Sequence, residues 1–111
     1  MPTFEPEAER MVTMMVLVKV SPEKQEEFLQ AMHSLKSAQE AQAVAWTPTL
    51  GKEVDDDTGF RVIFEWETQE NLEEYLRAGI SRVLLGAVKV LCNSAEIRYS
   101  RTLENLPILE R

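Results

Sequence analysis

The sequence offers few side chains for proton transfer or nucleophilic attack near neutral pH, because it contains one His and one Cys. His33 has the only side chain whose unperturbed pKa lies near neutrality, which makes it the formal candidate for a general base. The alternative is an exposed residue on a helix flank, since position 33 lies about 100° around a helix from Met32. Cys92 has no His close to it in the sequence, and a lone Cys is usually a small hydrophobic residue.

Aromatic residues alternate along one predicted strand and could bind an aromatic ligand. Phe60, Phe64 and Trp66 fall on the same face of that strand and could line a cavity. Trp46 could line the same cavity. Tyr75 follows on the next predicted helix and could present its hydroxyl as a weak acid. The alternative for the strand residues is an ordinary hydrophobic core, and for Tyr75 a hydroxyl in water.

Two arginines could approach a pocket or its mouth. Arg82 lies in the second predicted helical segment and Arg98 in the last predicted strand. A surface ion pair is the alternative role for each, because the chain carries 19 acidic residues.

Several classes of chemistry are excluded by what the sequence lacks. It contains no glycine-rich phosphate loop, no cluster of His, Cys and Asp at metal-ligand spacing and no Gly-x-Ser-x-Gly motif. A single Cys excludes an intramolecular disulfide and a zinc site of several cysteines. Twelve basic against 19 acidic residues give a net charge of −7, which argues against nucleic acid or an anionic membrane as the main ligand. We expect a small molecule or a protein as the partner.

The predicted elements that position these residues follow the order β-α-β-β-α-β. Strands are predicted at 11–20, 43–50, 60–66 and 95–103, and helices at 22–38 and 68–91, the second interrupted at Ala78-Gly79. Ser21 and Thr68 are the predicted helix caps. This order predicts an α+β, ferredoxin-like fold with two helices on one face of an antiparallel sheet.

The first predicted strand, 11–20, is apolar on both of its faces. Two helices cover only one face of the sheet, so the simplest cover for the other face is the sheet of a second copy. A chain of 111 residues is also only modestly stable alone. The sequence therefore predicts a homodimer.

Three segments are expected along the chain. Residues 1–10 form a flexible N-terminal extension, 11–103 the domain, and 104–111 an apolar C-terminal tail. The extension carries acids and prolines instead of the basic and apolar regions of a secretory signal. We expect a cytoplasmic protein.

Residues 64–76, FEWETQENLEEYL, follow a first strand, a helix opened by Ser-Pro-Glu and a hairpin. Together these features resemble the antibiotic biosynthesis monooxygenase family over about 11–102. The resemblance implies a dimeric α/β barrel made by two sheets, with a small-molecule pocket between the sheet and the helices of each subunit. Trp66 matches the Trp with which the family's third strand ends.

Cofactor-independent members of that family oxidise polycyclic aromatics or quinols with O2. The resemblance implies the same reaction on a small aromatic or quinol-like substrate beside Trp66, with no cofactor or metal. The candidate catalytic residues are Trp66, by its match to the family Trp, and His33 and Tyr75, by their side-chain chemistry. Haem-degrading relatives rely on an Asn in the first strand and on a His in the helix that follows the Trp. A haem-binding or haem-degrading role is disfavoured here, because residues 11–20 contain no Asn and residues 71–91 contain no His. A non-catalytic binding or interaction module on the same barrel is the other alternative, so enzymatic activity stays an open question.

Overall fold

The computed structural model describes residues 11–41 and 48–103. The predicted extension at 1–10, the aromatic residue Trp46 and the predicted tail at 104–111 lie outside the described residues. None of the described helices is both long and apolar enough to cross a lipid bilayer.

The described chain forms a four-stranded antiparallel sheet and three α-helices. In chain order they are β1 (Val12–Lys19), α1 (Gln25–Ala41), β2 (Thr49–Lys52), β3 (Gly59–Trp66), α2 (Gln69–Arg77), α3 (Gly79–Leu91) and β4 (Ser94–Arg101). The strand order in the sheet is β2-β3-β1-β4. This arrangement confirms the ferredoxin-like α+β fold, and in the single chain the sheet does not close into a barrel.

The core lies between one face of the sheet and the helices. Alternate residues of β1 point into it, so that Val12, Met14, Val16 and Val18 are all buried. The predicted apolar stripe of α1 also faces the sheet, and its members Phe28, Met32 and Leu35 are buried with Leu29 half-buried.

The helix boundaries partly agree with the prediction. Thr68 caps α2, because its Oγ1 accepts a hydrogen bond of 3.1 Å from the backbone N of Asn71. The helical interruption at Ala78-Gly79 is also confirmed, since α2 ends and α3 begins there. Ser21 is confirmed as the N-cap position, but the predicted hydroxyl cap is wrong: the Ser21 side chain makes no capping bond, and its carbonyl accepts from Lys24 N in a 3-10 turn over Pro22–Lys24.

Two other element boundaries differ from the predicted ones. Helix α1 runs to Ala41, three residues beyond its predicted end at residue 38. The described part of the second strand is Thr49–Lys52 instead of 43–50, of which 43–47 lie outside the described residues. Pro48 directly precedes this strand, which lies at an edge of the sheet, where the missing N–H of Pro is tolerated.

The sheet face opposite the helices has an apolar centre. Met15, Leu17 and Ile63 lie there and are only half-buried. Charged residues surround them: Arg61 pairs with Leu17 across one ladder, and Arg98 pairs with Met15 across the other. No described helix covers this outer sheet face.

Candidate functional site

Three aromatic residues form a packed cluster at one end of the sheet. The rings of Phe64 and Trp66 stack with an interplanar angle of 8° and centroids 5.7 Å apart. The Tyr75 ring is tilted at 42° to both and lies 5.2 Å from each. Each of the three is at most 5% exposed. Offset pairs of this kind stabilise a fold by about 0.5–1.5 kcal/mol each beyond the area they bury.

The sequence places this aromatic cluster through two elements. Phe64 and Trp66 are two residues apart on β3 and so share a face. Thr68 then starts α2, and Leu72 and Tyr75, three residues apart on that helix, both turn towards the sheet and are buried. The cap therefore fixes the position of Tyr75 against the two strand residues.

The hydroxyl of Tyr75 lies in the interior. Burial raises the pKa of this phenol well above its usual range, because the phenolate would lose its hydration. Its Oη donates a hydrogen bond of 3.3 Å to Oε1 of Gln39. Tyr75 is therefore a neutral hydrogen-bond donor and a poor proton acceptor at ordinary pH.

Gln39 is a polar residue that the sequence interpretation missed. Its side chain is 0% exposed, and its Nε2 has no hydrogen-bond partner among the described residues. It continues the apolar stripe of α1, four residues after Leu35. The predicted helix end at residue 38 excluded it, whereas extending the stripe by one more turn would have found it.

A cleft of about 470 Å³ opens between β4 and α2. Its apolar lining consists of Val12, Leu72, Leu76 and Tyr99. Val12 pairs with Trp66 across one ladder of β1 and with Arg101 across the other, so the cleft adjoins the aromatic cluster through one strand. Trp66 itself does not line the cleft.

A smaller cavity of about 20 Å³ continues from the cleft towards Tyr75. Leu76 and Tyr99 line both spaces, and Tyr75 and Met14 line only the smaller one. This volume holds about one water molecule. Tyr75 is the one member of the aromatic cluster that lines this smaller cavity.

Polar side chains form a chain along the wall of the cleft. The guanidinium of Arg101 donates a hydrogen bond to Oε1 of Gln69. Nε2 of Gln69 donates in turn to Oε2 of Glu73 over 3.2 Å. Among the described residues, Arg101 and Glu73 are the only charged side chains that line this cleft.

Comparison with protein families and solved structures agrees with this architecture. The family model for antibiotic biosynthesis monooxygenases matches residues 11–82, which hold all three of β1, β2 and β3, the helices α1 and α2 and the start of α3. The chain belongs to the antibiotic biosynthesis monooxygenase family. No curated protein matches the chain.

Solved structures share the fold of this family member at low identity. A conserved protein from Methanosarcina mazei is 16% identical with a TM-score of 0.75, over 86% of this chain and 96% of that one. A putative antibiotic biosynthesis monooxygenase from Caulobacter crescentus is 16% identical with a TM-score of 0.71, over 83% and 89%. One from Deinococcus radiodurans is 16% identical with a TM-score of 0.72, over 89% and 99%.

Some residues predicted for the site of this monooxygenase-family protein lie elsewhere. His33 is exposed and lines a separate cavity of about 130 Å³ with Lys36 and Leu50, on the β2 side of the helices. Phe60 packs at the other end of β3, with its ring centroid 5.3 Å from that of Phe28. Arg82 is exposed on α3 and does not line the cleft.

The arginine that reaches the cleft is Arg101 and not Arg98. Arg98 lies on the outer sheet face, where its Nε is 2.8 Å from Oε2 of Glu96 in an exposed ion pair. Arg101, three residues later, lies on the face that carries the aromatic cluster. Side chains alternate between the two faces of a strand, so Arg101 shares its face of β4 with Ile97 and Tyr99. This alternation can be read from the sequence.

The donor set of the cleft, as far as the chain is described, does not suit a metal or a haem iron. Within 11–41 and 48–103, no group of three or more His, Cys, Asp or Glu side chains is placed to hold a metal ion. Neither His33 nor Cys92 lines the cleft. Burial raises the pKa of the Cys92 thiol, which disfavours the thiolate that a metal or a nucleophilic reaction needs.

Two other cavities are less suited to aromatic chemistry. A groove of about 600 Å³ between α1 and α3 is lined by aliphatic and small residues, with no aromatic or charged side chain among them. A cavity of about 590 Å³ at the opposite end of the sheet includes Phe60 but is lined largely by charged residues, and its two cations Lys19 and Arg61 are ion-paired with Asp56 and Glu53. The cleft combines apolar walls, Tyr99, one carboxylate and one guanidinium.

Proposed function

We propose that this protein is a cofactor-independent monooxygenase that oxidises a small aromatic or quinol-like molecule with O2. The cleft between β4 and α2 is the proposed substrate site. Family membership supports an oxygenase activity, and the apolar cleft beside the Trp66 and Tyr75 cluster supports an aromatic substrate. The observation that carries the proposal is the placement of one carboxylate, Glu73, on the wall of that cleft.

The proposed reaction needs no external reductant. A phenol with an unsubstituted para carbon loses its hydroxyl proton and passes electrons from the ring to O2. One oxygen atom then bonds to the para carbon as a carbonyl, and the other leaves as water with the hydrogens of the O–H and C–H bonds. Phenol plus O2 therefore gives a quinone plus water, which balances in atoms and electrons.

The protein's contribution is binding and proton acceptance. Leu72, Leu76 and Tyr99 provide the wall against which an aromatic ring packs. Glu73 is the proposed proton acceptor, because a carboxylate within hydrogen-bond reach of a phenol can act as a general base. Tyr75 keeps its own proton, so its proposed role is as part of the aromatic cluster behind the wall. The role of His33 as a base stays a prediction.

Oxygen consumption by purified, metal-free protein tests this proposal, with phenols and polyhydroxylated aromatics that carry a hydrogen on the carbon para to a hydroxyl as substrates and autoxidation subtracted. We expect uptake that saturates with substrate and falls at least tenfold in Glu73→Gln, a loss typical of removing a general base. Glu70→Gln is the matched control, because Glu70 is exposed on the same helix and does not line the cleft. Equal uptake by both variants would overturn the role of Glu73.

A non-catalytic binding module is the second candidate. Glu73 is the one carboxylate that lines the cleft within the described chain, and no His lies there. A member that binds an aromatic molecule without oxidising it would need no more than the apolar wall. Saturable binding without O2 uptake for any bound compound would favour this candidate.

We also infer a homodimer that forms through the outer sheet face. Met15, Leu17 and Ile63 form its apolar centre, and the described helices all lie on the other side of the sheet. Burial of such a centre is favourable at about 25 cal/mol per Å² of apolar surface. Charges of both signs, such as Arg61 and Glu65, lie around it.

A further inference from the structure

Arg101 is the one cationic side chain that lines the cleft within the described residues. It lies at the end of β4, on the same sheet face as Trp66, with Val12 between them. Its backbone position is fixed by the ladder between β4 and β1, so the guanidinium projects from a rigid element.

The hydrogen-bond partner of the Arg101 side chain is a neutral amide. Its guanidinium donates to the Gln69 amide, and a guanidinium has five N–H donors. The ion pairs among the described residues involve Lys19, Arg61 and Arg98, each with a carboxylate of its own. Within 11–41 and 48–103, no carboxylate is ion-paired with Arg101, and its guanidinium lies beside an apolar wall.

We propose that Arg101 binds the carboxylate of an aromatic acid whose ring packs against Leu72, Leu76 and Tyr99. A planar guanidinium can donate two parallel hydrogen bonds to the two oxygen atoms of a carboxylate. The proposal rests on the proposed function, because it takes the cleft as the substrate site and narrows the substrate class. Gln69 is a positioning residue, since its Oε1 holds the guanidinium.

Glu73 sets the direction in which such a ligand lies. It follows Gln69 by four residues, about one helical turn, and is bonded to Gln69 Nε2. A ligand carboxylate is therefore attracted to the Arg101 end and repelled from the Glu73 end. The opposite end of the ligand is expected to carry a hydroxyl, which can donate a proton to Glu73.

Isothermal titration of naphthoate and of the neutral naphthamide tests this proposal, because the two probes differ in charge and little in shape. Wild-type protein is expected to bind naphthoate about fivefold more tightly, a preference that weakens in high salt. Arg101→Gln removes the preference. Arg98→Gln is the matched control on the same strand and keeps the preference, since Arg98 lies on the other face.

The positioning role of Gln69 has its own readout. Gln69→Leu removes the amide that holds the guanidinium without adding charge, so the naphthoate preference falls while naphthamide affinity stays unchanged. A merely structural role for Gln69 would weaken both probes equally, which would overturn the positioning role.

The two proposals fail in different ways. Equal binding of naphthoate and naphthamide by the wild-type protein would overturn the role of Arg101 and leave the aromatic cleft intact. Binding of neither probe would overturn the cleft as an aromatic site, and with it both proposals. Loss of the preference in Arg98→Gln to the same degree as in Arg101→Gln would show a general effect of net charge and would also overturn the role of Arg101.

Discussion

The hydroxyl of Tyr75 donates a hydrogen bond to Oε1 of Gln39 across 3.3 Å, and both side chains are buried. This bond joins α2 to the end of α1 directly behind the aromatic cluster. Nε2 of the same amide has no partner among the described residues. The pair is thus only partly satisfied, in a region where buried polar groups are costly to leave unpaired.

Removing one partner of this pair should destabilise the fold more than removing both. We expect Tyr75→Phe and Gln39→Leu each to lower the free energy of unfolding by about 1–3 kcal/mol, because each leaves a buried polar group unpaired. The double variant should regain most of that loss. Urea denaturation of the four proteins measures this coupling, and strictly additive losses would contradict it.

The raised pKa of Tyr75 predicts a loss of stability at high pH. The phenol binds its proton more tightly in the folded chain than in the unfolded chain, whose pKa is the ordinary value of 10.0. Its contribution is therefore fully present below pH 10.0 and is lost as the pH rises above that value. Unfolding at several pH values between about 8 and 11 should show this decline in the wild type and a weaker decline in Tyr75→Phe. Identical slopes for the two proteins would contradict the prediction.

The Thr68 cap supports the position of Tyr75, and its loss should be measurable. Thr68→Ala removes the acceptor of the Asn71 amide and should lower the free energy of unfolding by about 1 kcal/mol. Thr68→Ser keeps the hydroxyl and serves as the control. A thermal melt that shows no difference between the two variants would argue against the capping bond.

The outer sheet face predicts the oligomeric state. Light scattering should give twice the chain mass of 12.7 kDa for the wild type and a lower mass for Leu17→Glu, which places a charge in the apolar centre. Val83→Glu is the matched control, because Val83 is 60% exposed on α3, away from that face. A wild-type monomer would rule out the proposed dimer.

The fold was predictable from the sequence because each element carries its own signal. The alternation of Phe60, Phe64 and Trp66 and the Thr68 cap mark β3 and the start of α2, and both are confirmed. The first helix was harder to bound, because an interior Gln such as Gln39 looks polar in sequence while the fold buries it.

The site was harder to predict because it depends on register and on which helix face meets the sheet. Arg98 and Arg101 have the same chemistry. They are an odd number of residues apart along β4, so Arg98 lies on the outer sheet face and Arg101 lies at the cleft. The prediction of His33 as a base rests on its residue type alone, and the structure places His33 at another cavity. Residue type identifies candidate chemistry, whereas packing decides which candidates meet.

The most direct test of the proposed oxygenase activity is the fate of isotopically labelled O2 during turnover of a phenol that the protein binds. The proposed reaction predicts a quinone with one labelled oxygen atom, with the second labelled atom in water. Formation of this product should depend on the protein and fall in Glu73→Gln but not in Glu70→Gln. A quinone that carries no label, or product formed at the same rate without the protein, would contradict monooxygenase chemistry in the cleft.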